Sequence, residues 1–139
     1  MSDAGAKAGH RLLHAMIRVM DLDRSIDFYT RHLGMRLLRR REFPDGRFTL
    51  AFLGYGEETD STVIELTHNW DQAKPYDHGG AFGHLAVAVP DVYGTCAGLE
   101  AEGVHVPRPP GPMKFGGSST HMAFIEDPDG YRIELIQRA

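Results

Sequence analysis

Leu13-His14-Ala15-Met16-Ile17-Arg18-Val19-Met20-Asp21 and Gly83-His84-Leu85-Ala86-Val87-Ala88-Val89-Pro90-Asp91 are one pattern written twice. In each copy a histidine stands seven positions before an aspartate, with an apolar run between them. Strand side chains alternate between faces, so His14, Met16 and Arg18 share one face, as do His84, Ala86 and Ala88. The aspartate that closes each run suits the N-cap of a following helix.

The repeat extends outward from these strands. Asp21 or Asp23 caps a first helix with the stripe Ile26, Tyr29 and Leu33, and Gly34 stops it. Asp91 caps a second with the stripe Val92, Cys96 and Leu99, stopped by Gly103. Val63-Ile64-Glu65-Leu66 answers Arg132-Ile133-Glu134-Leu135, and the interval from the stop glycine to the glutamate is 31 positions in both copies. Further strands are expected over 36–43, 47–54 and 62–68, then near 104–107, 121–126 and 131–137. Asp45-Gly46 and Asp127-Pro128-Asp129-Gly130 turn the two hairpins. Pro107, Pro109, Pro110 and Pro112 mark a loop. The reading is α+β: two βαβββ modules in tandem, about 12–69 and 82–137, forming one domain over residues 1–139. Two copies at this long period speak for a duplicated module rather than a solenoid.

Composition narrows the function. The net charge of −4, with no dense basic stripe, disfavours nucleic acid and anionic membranes as partners. Met1 to His10 lacks the apolar core of a signal peptide, and no apolar run approaches the ~20 residues of a membrane span. The lone Cys96 forms no internal disulfide and fits a reducing, cytoplasmic setting. It lies on an apolar stripe and reads as core rather than nucleophile.

Each module offers one histidine from its first strand and one glutamate from its last: His14 with Glu65, and His84 with Glu134. The separations are 51 and 50 positions. Taken singly, such residues usually belong to solvated or satisfied positions. Recurring at matching offsets, they make a set of two imidazoles and two carboxylates, which suits a divalent first-row metal with room left for water. The other histidines, His10, His32, His68, His78, His105 and His121, have no repeat partner and read as surface or supporting residues.

Several stretches resemble the glyoxalase I family of the vicinal-oxygen-chelate superfamily. They are Leu12-Leu13-His14, Arg24-Ser25-Ile26-Asp27-Phe28-Tyr29, Leu33-Gly34-Met35, Val63-Ile64-Glu65-Leu66-Thr67, Asn69-Trp70, Gly83-His84 and Glu126-Asp127-Pro128-Asp129-Gly130-Tyr131-Arg132-Ile133-Glu134-Leu135. The resemblance covers residues 12–137. It implies metal ligands at His14, Glu65, His84 and Glu134, with Ni2+ or Co2+ preferred and Zn2+ as the alternative, because His14 stands where the zinc class carries glutamine. It implies isomerisation of the methylglyoxal–glutathione hemithioacetal to S-lactoylglutathione through an enediolate, with glutathione as co-substrate. Glu134 is then the base, loosening from the metal to take the proton, and Glu65 either serves the other enantiomer or remains a ligand.

By the same resemblance Arg18 and Asn69 bind the γ-glutamyl end and Lys114 lies near the glycyl carboxylate. Phe52 and Met113 are read as an apolar wall for the substrate. The family forms its sites in a homodimer with barrel-like sheets, one chain supplying His14 and Glu65 and the other His84 and Glu134. Gly80 stands where animal members carry an arginine, which leaves part of the carboxylate clamp unassigned. The stretch Gly116-Gly117-Ser118-Ser119-Thr120 reads as a flexible loop, without the lysine of a phosphate loop. Rival readings within the superfamily are an epimerase, a dioxygenase and a metal-free antibiotic-binding protein. A dioxygenase needs two histidines and one carboxylate, and the binding protein need not keep four ligands.

Overall fold

The computed structural model describes residues 5–116 and 119–139. Two compact units divide the chain, Met1–Asp71 and Gln72–Ala139. The loop expected over 116–120 falls partly outside the described residues, since 117 and 118 are not among them.

The first unit runs β1 (His14–Arg18), α1 (Leu22–Asp27), a π-helical turn (Phe28–His32), β2 (Arg36–Phe43), β3 (Phe48–Gly54) and β4 (Val63–Asn69). Its sheet has the order β1-β4-β3-β2, with β1 parallel to β4 and the other pairs antiparallel. The second unit runs β5 (Leu85–Val89), α2 (Val92–Ala101), β6 (Arg108–Pro112), β7 (His121–Glu126) and β8 (Arg132–Gln137). Its sheet repeats the arrangement as β5-β8-β7-β6. Each unit is therefore βαβββ. Among the described residues no helix is long and apolar enough to cross a membrane.

The helix boundaries follow from local chemistry. Asp21, rather than Asp23, caps α1 by accepting the Arg24 N–H at 3.1 Å, and Asp91 caps α2 by accepting the Gly94 N–H at 3.1 Å. Gly103 (φ 86°) and Val104 close α2 with a Schellman pair of bonds to the carbonyls of Glu100 and Leu99, both 3.0 Å. Gly34 (φ 72°) ends the first helix with its N–H on the Thr30 carbonyl, and the Met35 N–H bonds the Tyr29 carbonyl, both at 3.0 Å. That helix departs from the expected stripe. The π turn widens its second half, so Leu22, Ser25, Phe28, Tyr29 and Leu33 are buried while Ile26 is half-buried.

Each sheet buries one face under its helix. In the first unit Ile17, Val19, Ala51, Leu53 and Leu66 make this face, and in the second Val87, Ala123, Ile125, Ile133 and Leu135 do. The opposite faces carry the histidines and glutamates.

Two expectations are corrected. Residues 104–107 form no strand, and the proline-rich stretch is itself strand β6 rather than a loop. Proline lacks an N–H and is excluded from central strands, but β6 is an edge strand that bonds only to β7, with a bulge between Arg108 and Gly111. The first hairpin also differs in detail. The residue with positive φ is Arg47 (55°), not Gly46, whose missing side chain instead clears the Phe48 ring.

Candidate metal and substrate site

In the first unit His14 opens β1 and Glu65 lies on the neighbouring strand β4, where the register sets Met16 beside Glu65 and Phe52 on its other side. Paired residues project to one face, so a row Arg39–Phe52–Glu65–Met16 crosses the sheet. His14 Nε2 lies 3.1 Å from Glu65 Oε1. The Phe52 ring meets the imidazole edge-on at 5.6 Å, and the Arg39 guanidinium covers Phe52 at 3.8 Å from its centroid. Thr67 Oγ1 donates to the second oxygen of Glu65 at 3.2 Å.

The second unit repeats the core of this arrangement. A row Arg108–Phe124–Glu134–Ala86 crosses its sheet. His84 Nε2 lies 3.3 Å from Glu134 Oε1, and Phe124 meets the imidazole at 5.2 Å, again edge-on. In both pairs the histidine side chain is about two-fifths exposed and the glutamate is mostly covered: 37% and 14% in the first, 42% and 12% in the second. Each unit thus presents one imidazole nitrogen against one carboxylate oxygen at the surface of a sheet.

The two rows differ where it matters for chemistry. Position 136 is isoleucine where the first unit has Thr67, so the hydroxyl that steadies Glu65 has no counterpart beside Glu134. Arg39 is neutralised by Glu58 through bonds of 2.7 and 3.1 Å. That pairing lowers the Glu58 pKa and raises that of Arg39. Arg108 instead donates to main-chain carbonyls, from Nη1 to Pro109 at 2.8 Å and Met122 at 3.1 Å, and from Nη2 to Pro112 at 2.8 Å.

A pocket of about 240 Å³ lies against Glu134. Met113, Phe115, Met122 and Phe124 supply its apolar wall, with Arg108 and Lys114 as its cations. The Met113 N–H bonds to the Thr120 carbonyl at 2.8 Å, which draws this loop together at its base.

Of the residues singled out in the sequence, Met113 and Lys114 therefore line the same pocket as Glu134. Phe52 braces His14 from a buried position rather than lining this pocket. Arg18 and Asn69 lie on the same sheet face as Glu65 but farther along, Arg18 beside Thr67 and Asn69 beside Phe48. Among the described residues no three His, Cys, Asp or Glu side chains gather into one cluster. Arg39, Thr67, Arg108, Phe115, Met122 and Phe124 were not anticipated. The arginines carried a signal, because Arg39 and Arg108 are 69 positions apart, the same offset as Glu65 and Glu134.

The remaining histidines lie elsewhere. His78 stacks on Tyr131 at 4.0 Å, His121 bonds the Tyr93 hydroxyl at 2.7 Å, and His32 packs against Phe28. His105 approaches Glu126 at 3.3 Å, but this pair is more open and lacks the aromatic brace. Cys96 is buried on α2, and burial raises its thiol pKa, with Glu100 adding to the effect. That is the behaviour of a core thiol rather than a reactive one.

The sequence profile of the Glyoxalase/Bleomycin resistance protein/Dioxygenase superfamily matches residues 11–135. Lactoylglutathione lyase of Neisseria meningitidis is 59% identical over 128 residues, covering 92% of this chain and 91% of that protein. This chain belongs to the glyoxalase I family. Among solved structures, glyoxalase I of Zea mays superposes with a TM-score of 0.86 at 51% identity, over 93% of this chain. This chain spans 45% of the length of the maize protein. The trypanothione-dependent glyoxalase I of Leishmania major gives a TM-score of 0.80 at 46% identity, over 93% of this chain and 87% of that one. The tandem βαβββ units are thus the glyoxalase fold.

The donor set fits the metal dependence of the glyoxalase family. Both imidazoles turn Nε2 toward a carboxylate oxygen. Both are held by an aromatic edge, which fixes ring orientation before any ion arrives. Nitrogen and oxygen donors of this kind suit nickel, cobalt and zinc.

Proposed function

We propose that this protein is a lactoylglutathione lyase that isomerises the hemithioacetal of methylglyoxal and glutathione to S-lactoylglutathione. The observation that carries the reading is the duplicated His–Glu pair, His14 with Glu65 and His84 with Glu134, in a chain 59% identical to a lactoylglutathione lyase. Residues 1–139 act as one catalytic domain of two repeats.

These four residues would hold one divalent metal ion per site, Ni2+ or Co2+ by preference and Zn2+ as the alternative. When bound, the ion polarises the two vicinal oxygens of the substrate and stabilises the negative charge that develops on them. Glu134 is the base. It takes the proton from C1 of the hemithioacetal and returns it to C2. The electrons of the C1–H bond pass into C1–C2 bonding and then into the new C2–H bond, while the hydroxyl proton on the C1 oxygen passes to the C2 oxygen, so that the C1 oxygen becomes the thioester carbonyl and the C2 oxygen the hydroxyl. Nothing else enters or leaves, so substrate and product are isomers.

Two observations support the choice of Glu134 over Glu65. The pocket lies beside Glu134, and its carboxylate lacks the hydroxyl donor that Thr67 gives Glu65. Glu65 is then the steadier ligand. Met113 and its apolar neighbours exclude water from the substrate's methyl and thioether, Lys114 attracts the glycyl carboxylate, and Arg18 and Asn69 take the γ-glutamyl end. Phe52 acts through His14.

We assign a homodimer in which one chain contributes His14 and Glu65 to a site and the partner's His84 and the partner's Glu134 complete it. The cytoplasm suits a lone buried thiol. Thioester formation from methylglyoxal and glutathione, followed by absorbance, tests the reaction. Wild-type metal-loaded protein is expected to turn over, and Glu134→Gln to lose roughly 10²–10⁴-fold in kcat. A folded, metal-loaded wild type without thioester formation contradicts the proposal.

A further inference from the structure

We infer that His78 and Tyr131 are positioning residues for the His84–Glu134 pair: with Phe82 they seat the segment that delivers His84 to Glu134. The inference rests on the reading of His84 and Glu134 as metal ligands. The chain that leads into His84 is poor in side chains. Residues 78–83 read His-Gly-Gly-Ala-Phe-Gly, three glycines in six positions. Glycine loses more conformational freedom on ordering than any other residue, so a segment of this composition needs anchors outside itself. His78 and Phe82 are its only side chains larger than a methyl group, and both pack on Tyr131. The imidazole stacks on the phenol ring at 4.0 Å between centroids and 7° between planes. Phe82 meets the Tyr131 ring edge-on at 5.0 Å and the His78 ring at 6.2 Å.

Tyr131 is a fixed platform. It is buried, and the turn before it is braced by Asp127, whose carboxylate accepts the N–H groups of Asp129 and Tyr131, both at 2.9 Å. The Asp127 N–H in turn bonds the Tyr131 carbonyl at 3.0 Å. The ring cluster therefore sits at the root of both ligands: Phe82 is two residues before His84, and Tyr131 is three before Glu134, at the head of β8. The repeat shows what the cluster replaces. The equivalent places in the first unit are Leu12 and Thr62, 70 and 69 positions earlier. There the Thr62 hydroxyl donates to the Leu12 carbonyl at 2.7 Å, and the Leu12 side chain is exposed. A main-chain tether thus serves His14, and three rings serve His84. Ring pairs favour particular stacked and edge-on geometries, so they fix direction as well as distance. With the segment ordered beforehand, binding an ion does not have to order it.

Competition for Ni2+ between a chromogenic chelator and the folded protein tests this without turnover. His78→Ala is expected to weaken Ni2+ affinity about tenfold or more, the range usual for groups that orient a ligand, and Tyr131→Leu at least as much. His78→Phe and Tyr131→Phe keep the ring pair and are expected to bind as wild type does. Because the two residues act through one stack, His78→Ala added to Tyr131→Leu should cost little further affinity. A structural role alone would lower the unfolding midpoint of His78→Ala and leave the Ni2+ affinity of the folded protein unchanged, and that result overturns the inference. So does a His78→Phe variant as weak as His78→Ala. Should Tyr131→Leu fail to fold, His78→Ala, at a half-buried position, decides the matter alone. His84→Ala separates the two readings. Loss of Ni2+ binding there, with wild-type affinity in His78→Ala, defeats this inference while the ligand assignment stands. Wild-type affinity in His84→Ala defeats both.

Discussion

Thr67 and Ile136 occupy equivalent places in the two repeats, yet one donates to its glutamate and the other does not. This one hydroxyl distinguishes two otherwise matching carboxylates. Replacing Thr67 with valine keeps the shape and removes the donor. It is expected to weaken metal affinity by about 10–100-fold, the usual effect of losing a group that orients a ligand, whereas Ile136→Val leaves it unchanged. A chelator-competition titration measures both, and equal affinity in Thr67→Val and wild type would show that the hydroxyl does not orient Glu65. Away from the site, Arg47 and Asp71 form a bidentate surface pair at 2.6 and 2.7 Å, and the arginine lowers the Asp71 pKa. A depressed folded pKa contributes stability above the unfolded value, and that contribution is lost as the pH falls through the folded value. NMR titration should therefore place the Asp71 midpoint below the ordinary ~3.9, and Arg47→Gln should return it there.

At the level of elements, the caps are the most legible part of the chain. Asp21 and Asp91 stand 70 positions apart and Gly34 and Gly103 stand 69 apart, and all four perform the expected bonding. Removing the α2 cap with Asp91→Ala is expected to cost about 1 kcal/mol, read from denaturant unfolding; an unchanged midpoint would show that the helix does not depend on it. The strand β6 was not legible, because prolines argue against a strand and only the fold makes this one an edge. Nor was the π turn, in which Phe28 and Tyr29 are both buried. The pairing of His14 with Glu65 and of His84 with Glu134 was legible through duplication. The pocket was not, since Met122, Phe124 and the Met113–Phe115 stretch join Glu134 in its lining only through sheet pairing and the Met113–Thr120 bond. Arg39 and Arg108 fall between these cases: their offset of 69 was visible, but the acid that neutralises one and spares the other is a tertiary fact.

On the scale of the whole molecule, each unit presents one repeat-related His–Glu pair, and the described residues hold no cluster of three or more such groups. The proposal that a second chain completes each site makes a sharp prediction. His14→Ala and His84→Ala homodimers are each expected to be inactive. A mixed dimer combines both lesions in one site and leaves the other intact. Statistical reassortment of equal amounts should then recover roughly a quarter of wild-type activity, as a two-site isologous dimer requires. No recovery, with mixed dimers verified by mass spectrometry, would contradict the shared site.

The most direct measurement is thioester formation after the metal has been stripped with chelator and Ni2+, Co2+ or Zn2+ has been returned separately. The predicted result is loss of activity on stripping and its restoration by Ni2+ or Co2+, with the ion absent from a His14→Ala, His84→Ala double variant. Restoration by Zn2+ alone would keep the reaction and reverse the metal preference. Full activity in the stripped protein, or none with any of the three ions in a folded one, would contradict a metal-dependent lactoylglutathione lyase.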